Sequence, residues 1–203
     1  MSEKNFWYAN WPRIGIVCAI FILLMLFVNS YAPIGSFEWF YWFSLPLYMI
    51  HQYEEYVYPG GFKEDLNKIL LGENSSGEEV LTEKRAFFIN IGFIWTLTPV
   101  LIILGKVAIF GKLAIVFPTI LMTLVAFNGF IHLGATIRFK RYNPGVLVST
   151  FGNIPLGLFV LIALGVTGTA NPLFLFGGII IGIIAHMVLF VVLGARARKI
   201  KNN

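Results

Sequence analysis

The chain has 203 residues, of which 58% are hydrophobic and 12% are charged, and its formal net charge is +5 at pH 7. Its mean hydropathy is +0.79, and its apolar residues form long blocks, so it has too little polar surface for a soluble globular domain. Composition therefore excludes a soluble protein and predicts an all-α polytopic membrane protein. The single cysteine, Cys18, excludes an internal disulfide framework.

Six apolar segments are long enough to cross a bilayer core about 30 Å thick, which takes roughly 20 helical residues. Transmembrane helices are predicted over residues 14–31, 37–58, 86–108, 113–137, 146–166 and 173–195. Turn-forming sequences separate these segments, namely APIGS, YPGG, YNPG and TGTANP. One transmembrane domain over residues 1–203 accommodates all six spans.

The longest polar stretch, residues 62–85, lies between the second and third predicted spans. Phe62, Leu66, Ile69 and Leu70 fall on one helical face, so the first half of this stretch is predicted to be an amphipathic helix on the membrane surface. The sequence ENSSGEE that follows is predicted to be a flexible linker.

Lysine and arginine are concentrated on one side of this predicted topology. Both termini, residues 62–85 and residues 138–145 carry them, whereas the opposite side has only Lys106 and Lys112. The positive-inside rule then predicts that both termini lie in the cytosol. Because the basic charge is explained by insertion and by contact with anionic head groups, membrane lipid is the expected partner and nucleic acid is not.

The polar residues within the predicted spans share one depth. At a rise of 1.5 Å per residue, His51, His132 and His186 lie about 10, 9 and 15 Å from the cytosolic ends of their spans. Asn90 and Asn153 lie about 8 and 12 Å inward by the same measure. Ionisable residues in a bilayer are costly and mark functional sites, so this shared depth predicts a site that opens to the cytosol.

The residue types at this depth are typical of a metal site. His51, Glu54 and Glu55 are spaced i, i+3 and i+4, which places them on one side of a helix. Imidazoles and carboxylates are the ligands of catalytic Zn²⁺ and Fe²⁺ sites. The spacing H-x-x-E-E resembles the inverted zincin motif H-x-x-E-H, which implies His51 and Glu55 as ligands and Glu54 as general base. His132 and His186 complete the predicted ligand set, with Zn²⁺ favoured over Fe²⁺.

Further polar residues are predicted to support this site. Asn128, one turn before His132, is predicted to act in catalysis, and with Asn153 it would orient a ligand or stabilise an oxyanion. Asn90 is a third supporting residue, and Arg138 is predicted to hold an anionic head group. Taken singly, however, an asparagine or histidine within a span also fits an ordinary hydrogen bond between helices.

A metal-dependent hydrolase acting on a lipid or lipid-linked substrate is the predicted function. In that mechanism water bound to the metal loses a proton to Glu54 and attacks an ester, amide or phosphoester that enters from the cytosolic leaflet. A proton- or ion-coupled transporter would also place His and Glu at a shared depth. Its polar residues should continue through the outer half of the membrane, where this sequence has almost none.

Two stretches, HQYEEY and NGFIHLGATIRFKRYNPG, resemble the sequence blocks of the HXXEE-domain family of prokaryotic integral membrane proteins. The resemblance covers most of the chain. It implies His51, Glu54, Glu55, Asn128 and His132 as signature positions, and it implies a bacterial or archaeal plasma membrane.

A looser resemblance is to the CAAX-processing glutamate protease superfamily. The order Glu54, Glu55, His132 and His186 is similar to the order of the site residues in that superfamily. It would imply a metal-independent enzyme in which Glu55 activates water. The superfamily has an arginine soon after its paired glutamates, and EEYVYP has none.

Overall fold

The computed structural model of the chain describes residues 3–28, 32–72 and 78–202, with side chains described from residue 6 onward. Within these ranges the chain forms helices joined by turns, and no strand is present. The predicted linker ENSSGEE lies mostly outside the described residues, since residues 73–77 are not among them.

Seven helices follow one another in the described ranges. They are α1 (Glu3–Val28), α2 (Phe37–Tyr56), α3 (Phe62–Leu71), α4 (Glu83–Leu104), α5 (Val116–Phe139), α6 (Val146–Val166) and α7 (Pro172–Lys201). α4 continues through a π-helical turn at Asn90–Trp95, and α6 continues through one at Ser149–Asn153. A 3-10 segment, Ala108–Ile115, leads into α5.

Five of these segments are long and apolar enough to cross a membrane. They are Phe6–Val28 of α1, α4, the segment Ala108–Phe139 that contains α5, α6 and α7. The prediction of an all-helical membrane protein is thus confirmed, whereas the predicted number of six spans is not. The remaining predicted span, 37–58, corresponds to α2, which is polar for a span because it carries three glutamates, His51 and Gln52.

Several predicted ends differ from the observed ones. α1 begins well before residue 14, and the last predicted residues of that span, 29–31, lie outside the described residues. α4 is shifted toward the N-terminus relative to the predicted 86–108. α7 continues to Lys201 rather than ending at residue 195, because its last residues, RARKIK, are mostly good helix formers and end the helix with basic charge.

α2 lies among the other helices, and protein surrounds much of its surface. Its buried residues are spread around the helix and include Trp39, Tyr48 and Gln52. It contacts α1, α4, α5 and α6. Because protein rather than lipid lies against these residues, α2 can carry polar side chains that acyl chains would not tolerate.

Glycines allow close packing between α5 and its neighbours α6 and α7. A Cβ on Gly157 of α6 would lie 2.7 Å from the Met122 backbone oxygen. A Cβ on Gly178 of α7 would lie 2.7 Å from the Thr119 side chain. Small residues of this kind let helix backbones approach one another in a membrane. α5 is therefore held between α6 and α7.

The short helix α3 packs against one end of the bundle, which we call the α3 end. Leu66 of α3 belongs to an apolar cluster with Ala86 of α4 and Leu193 of α7. The ring of Tyr8, near the start of α1, contacts that of Phe87 at the start of α4. The prediction of a helix here is confirmed. Of its predicted apolar face, Leu66 is buried and Phe62 and Leu70 are partly buried against protein, whereas Ile69 is exposed. Both ends of the chain's helical part, the start of α1 and the end of α7, lie at the α3 end.

Candidate metal centre

Three buried side chains that can ligate a metal meet between α2 and α5. His51 and Glu55 are one turn apart on α2, and His132 is on α5. Their ligand atoms all lie within 4.8 Å of one another. Glu55 Oε1 is 3.5 Å from His51 Nε2 and 3.2 Å from His132 Nε2. The three residues are 0%, 4% and 2% exposed in the order His51, Glu55, His132, and we call them the His–Glu cluster.

Hydrogen bonds on the far side of each imidazole turn both Nε2 atoms toward Glu55. His51 Nδ1 is 3.1 Å from the backbone oxygen of Gly145, and His132 Nδ1 is 2.7 Å from Asn143 Oδ1. A carbonyl oxygen can only accept a hydrogen bond, so each Nδ1 carries a proton and donates it. In a neutral imidazole the Nε2 atom then presents a lone pair.

With both imidazoles neutral, the arrangement brings three electron-pair donors together, and none of them has a proton to donate to the others. His51 Nε2 is buried and has no hydrogen-bond partner. Histidines that ligate a metal commonly donate their other N–H to a carbonyl or carboxylate, as both histidines of the His–Glu cluster do. Two imidazole nitrogens and one carboxylate are also the protein ligands of many catalytic Zn²⁺ and Fe²⁺ sites. The residues therefore fit a divalent metal ion.

Aromatic rings enclose the His–Glu cluster. The Tyr48 ring centroid is 5.2 Å from that of His51, and the Phe62 ring centroid is 5.2 Å from that of His132. Phe62 is the first residue of α3, so α3 contributes one side of the enclosure. An apolar shell restricts water and lowers the local dielectric constant, which strengthens the attraction between a cation and its ligands.

The turn at residues 142–145, between α5 and α6, covers the cluster. Asn143 and Gly145 supply the oxygens that accept from the two histidines. Gly145 has a φ of +97°, and a Cβ added to it would lie 2.6 Å from His51 Cε1 and 2.9 Å from His132 Cε1. Both the backbone conformation and the space therefore require glycine at this position.

Replacement of Gly145 by alanine tests this close approach. We expect Gly145→Ala to weaken metal binding about 10- to 100-fold, the range seen when a group that orients ligands is lost. Isothermal titration with Zn²⁺ measures the effect. Gly35→Ala is the matched control, because Gly35 also has a positive φ of +85° but a Cβ there would meet nothing within 4 Å. Equal affinities for the two variants would contradict the expectation.

Glu54 has a different environment from Glu55. Its Oε1 accepts hydrogen bonds from the Leu147 N–H at 2.9 Å and the Tyr142 hydroxyl at 2.5 Å, and its Oε2 accepts from the Val148 N–H at 2.8 Å. These N–H groups belong to the first turn of α6, where intrahelical acceptors are missing and a negative charge is favourable. Glu54 therefore caps α6 from α2.

The hydroxyl that binds Glu54 stays protonated at neutral pH. Burial, together with the hydrogen bond to Glu54 and the charge of that carboxylate, raises the pKa of Tyr142 well above its usual value. The phenol therefore remains a hydrogen-bond donor across the physiological range.

Two predicted site residues lie apart from the His–Glu cluster. The His186 ring lies between those of Phe127 and Phe190, with centroid distances of 5.5 and 5.7 Å, and His186 does not share the compact group of ligand atoms. Arg138 is exposed, and its guanidinium lies 5.9 Å from the centroid of the neighbouring Phe139 ring.

The three predicted asparagines are buried to different degrees and differ in their hydrogen bonds. Asn90 accepts from Gln52 Nε2 at 2.8 Å and donates to the Ala86 backbone oxygen at 2.8 Å. Asn128 Oδ1 is buried without a hydrogen-bond partner, and neither amide atom of the fully buried Asn153 has one. Asn90 thus forms a hydrogen bond between α4 and α2, whereas Asn128 and Asn153 each have amide atoms without a hydrogen-bond partner.

Some residues of the site escaped the sequence interpretation. Gln52 is fully buried, and its Oε1 accepts from Trp95 Nε1 at 2.7 Å, which ties α2 to the π-helical turn of α4. For Gln52, the sequence signal available was an amide side chain next to His51 within a predicted span. Tyr142, Asn143 and Gly145 all belong to YNPG, which the sequence identified only as a turn.

A cleft of about 100 Å³ opens at the α3 end and reaches the His–Glu cluster. Residues of α1, α2, α3 and α4 line it, and Glu55 is one of them. The cleft therefore borders the His–Glu cluster at Glu55, and a small molecule or the head of a larger one can enter it.

A comparison with protein families found one matching family model, described as "Protein of unknown function with HXXEE motif". The match covers residues 42–160, more than half of the chain, and includes the His–Glu cluster, Glu54 and the covering turn. His186 lies beyond its end. No curated protein and no solved structure matches the chain.

Proposed function

The chain belongs to the HXXEE family, and we propose that it is a membrane-embedded hydrolase that uses a divalent metal ion held by His51, Glu55 and His132. The observation that carries the proposal is the geometry of the two histidines. Both direct Nε2 toward the Glu55 carboxylate while Nδ1 donates to a carbonyl oxygen. Buried lone pairs and a carboxylate at this spacing are stabilised by a shared cation.

A divalent ion with three protein ligands keeps positions open for water and substrate. It acts as a Lewis acid and promotes deprotonation of water, which hydrolysis of an ester, amide or phosphoester requires. Water adds across the bond that breaks, so the products are an acid and an alcohol or amine. Zn²⁺ is proposed ahead of Fe²⁺ because this chemistry needs no change of oxidation state.

The environments of the other polar residues support different roles for them. His186 is left out of the proposed ligand set because it lies between two phenylalanine rings. Glu54 is assigned a positioning role, since all of its described contacts anchor α6 and the turn that covers the site. Asn128 and Asn153 are proposed to bind a polar group of the substrate, because a buried amide without a partner costs about 1–3 kcal/mol.

The proposed substrate is a lipid or a lipid-linked molecule that enters from the cytosolic leaflet. Basic residues cluster at the α3 end, where the cleft opens, and the positive-inside rule favours that end in the cytosol. Arg138 is exposed there, so contact with an anionic head group is open to it. The proposed orientation has both termini in the cytosol and the helices in a plasma membrane.

Metal analysis of the purified full-length chain tests the proposal. After treatment with chelator, dialysis against Zn²⁺ and removal of excess ion, we expect one metal ion per chain, measured by mass spectrometry of the element. Co²⁺ in place of Zn²⁺ should give the absorption bands of a site with nitrogen and oxygen ligands. Failure to retain Zn²⁺, Co²⁺ or, without oxygen, Fe²⁺ would overturn the metal assignment.

Activity measurements distinguish the proposed metal-dependent hydrolase from two other functions, a metal-independent enzyme and a coupled transporter. The 3.2 Å distance between His132 Nε2 and Glu55 Oε1 also fits a metal-independent acid–base pair. Incubation of membrane lipid extracts with the protein, with and without chelator, distinguishes the two enzymes by metal-dependent or metal-independent release of lipid fragments. Accumulation of protons or metal ions in proteoliposomes, with no lipid cleaved, would instead identify a coupled transporter.

A further inference from the structure

Three aromatic rings line the cleft that reaches Glu55. Tyr8 and Trp11 line it from α1, and Tyr56 lines it from α2. The Trp11 and Tyr56 rings are in edge contact, with centroids 5.1 Å apart. The faces of such rings attract cations, and a group of rings around a small cavity is a common way to bind an ammonium group.

Carboxylates are the main charged groups in the same wall. Besides Glu55, Glu64 of α3 and Glu83 of α4 line the cleft, and Lys63 is the only basic residue among the lining residues in the described part of the chain. Lys63 Nζ is 3.0 Å from Glu79 Oε1 and 3.6 Å from Glu64 Oε1, so its charge is balanced by two carboxylates. The outer part of the cleft therefore keeps an excess of negative charge.

The inner end of the cleft differs from this outer part. Glu55 belongs to the His–Glu cluster, and a divalent ion there would more than neutralise its charge. With a metal ion bound to the cluster, a ligand in the cleft would meet a cation near Glu55 and carboxylates with aromatic rings farther out. This arrangement complements a molecule that has an oxygen to offer the metal and a positive charge some distance away.

We propose that the cleft binds the ammonium group of an amine-containing substrate, either a primary amine or a quaternary ammonium, such as the head group of a zwitterionic lipid. The orientation of that substrate rests on the proposed metal function. Recognition of the ammonium group itself rests only on the rings and carboxylates of the cleft. The cleft has a volume of about 100 Å³, which can hold the ammonium end of a head group. The acyl chains of such a lipid would remain in the bilayer.

Binding of small cations and a neutral isostere tests the proposal. Choline and ethanolamine are titrated into the full-length protein, with tryptophan fluorescence or calorimetry as the readout. The neutral control is 3,3-dimethylbutan-1-ol, which has nearly the shape of choline without its charge. We expect at least one of the cations to bind about tenfold more tightly than the isostere, consistent with a desolvated cation–π contact. Equal binding of the isostere would overturn the proposal.

Charge variants locate the binding to the cleft. The double variant Glu64→Gln with Glu83→Gln should weaken binding of the cation about tenfold, since it removes both outer carboxylates without changing their shape. Glu78→Gln is the matched control, because it removes one carboxylate close in sequence that does not line the cleft. Equal affinity of the wild type and the double variant would also overturn the proposal.

The source of the ammonium group and the state of the metal are read from the same preparations. A lipid source predicts that nanodiscs containing phosphatidylethanolamine compete with ethanolamine, whereas phosphatidylglycerol nanodiscs do not. A soluble source predicts equal binding in both. Metal content is measured in parallel: retained metal with no ammonium binding refutes only this inference, and ammonium binding without metal refutes only the proposed hydrolase.

Discussion

Replacing His51 or His132 by alanine is expected to reduce the affinity for Zn²⁺ by more than about 100-fold, because loss of an outer partner of a ligand alone costs about 10- to 100-fold. Each substitution removes one of the three ligands and leaves the Glu55 carboxylate buried beside an empty space. Titration of chelator-treated protein with Zn²⁺, in competition with a chelator of known affinity, measures the change.

The chain contains its own control for this prediction. His186→Ala also removes a buried imidazole from a membrane helix, but that imidazole lies between Phe127 and Phe190 rather than beside Glu55. We therefore expect His186→Ala to bind Zn²⁺ as tightly as the wild type. If all three variants lose metal to the same extent, the three-residue ligand set is wrong, and the sequence prediction that includes His186 is the better one.

Replacing Glu54 by glutamine is expected to destabilise the protein by about 3 kcal/mol, since hydrogen bonds to a charged group are worth about 1.5–3 kcal/mol each. Its two oxygens accept from the Leu147 and Val148 N–H groups and from the Tyr142 hydroxyl. A glutamine side chain has only one oxygen, so its NH₂ group must face a backbone N–H donor. Thermal unfolding in detergent, followed by the midpoint temperature, measures the loss.

The size of the effect is calibrated by a milder change. Tyr142→Phe removes one hydrogen bond to Glu54 and leaves both backbone donors. It should lower stability by about 1.5 kcal/mol, the low end of the same range, because Tyr142 is 40% exposed and water can replace its hydroxyl. A general base at Glu54 makes the opposite prediction: Glu54→Gln would fold and bind metal like the wild type and lose only hydrolytic activity. The pair of variants therefore distinguishes a positioning residue from a catalytic one.

The local part of the site could be predicted because it depends on one helix. His51 and Glu55 are four residues apart, and the helical repeat alone places them on one face. His132 is on another helix, and its partnership with them was predicted from depth. That inference succeeded because α5 contacts α2 with His132 on the contacting side.

Depth alone did not predict where the His186 side chain lies, because the depth of a residue does not determine the direction in which its side chain points. Gly178 of α7 packs against Thr119 of α5, and this packing leaves the His186 ring beside Phe127. Which face of α7 meets α5 depends on the close approach of two backbones. Gly178, Gly182 and His186 are spaced four residues apart and so lie along one face of α7, but this spacing does not identify the helix that packs there.

Adjacent glutamates were interpreted as one functional unit, although neighbours on an α-helix point about 100° apart. Glu55 faces α5, and Glu54 faces the start of α6. The second contact joins residues far apart in sequence, so no local pattern reveals it. The two adjacent glutamates of the HXXEE motif are thus a proposed metal ligand, Glu55, and a helix cap, Glu54.

The polar character of α2 has a consequence for how the protein enters the bilayer. A helix with carboxylates near its end is a poor substrate for release from the translocon by itself. α1 precedes it, is strongly apolar, and packs along it through Ala19, Leu45 and Met49. We therefore expect α1 and α2 to stay at the lateral gate of the translocon as a helical hairpin until α4 and α5 have been synthesised, and then to leave it together. The apolar helices would then shield the polar helix α2 from lipid before the site that α2 carries can act.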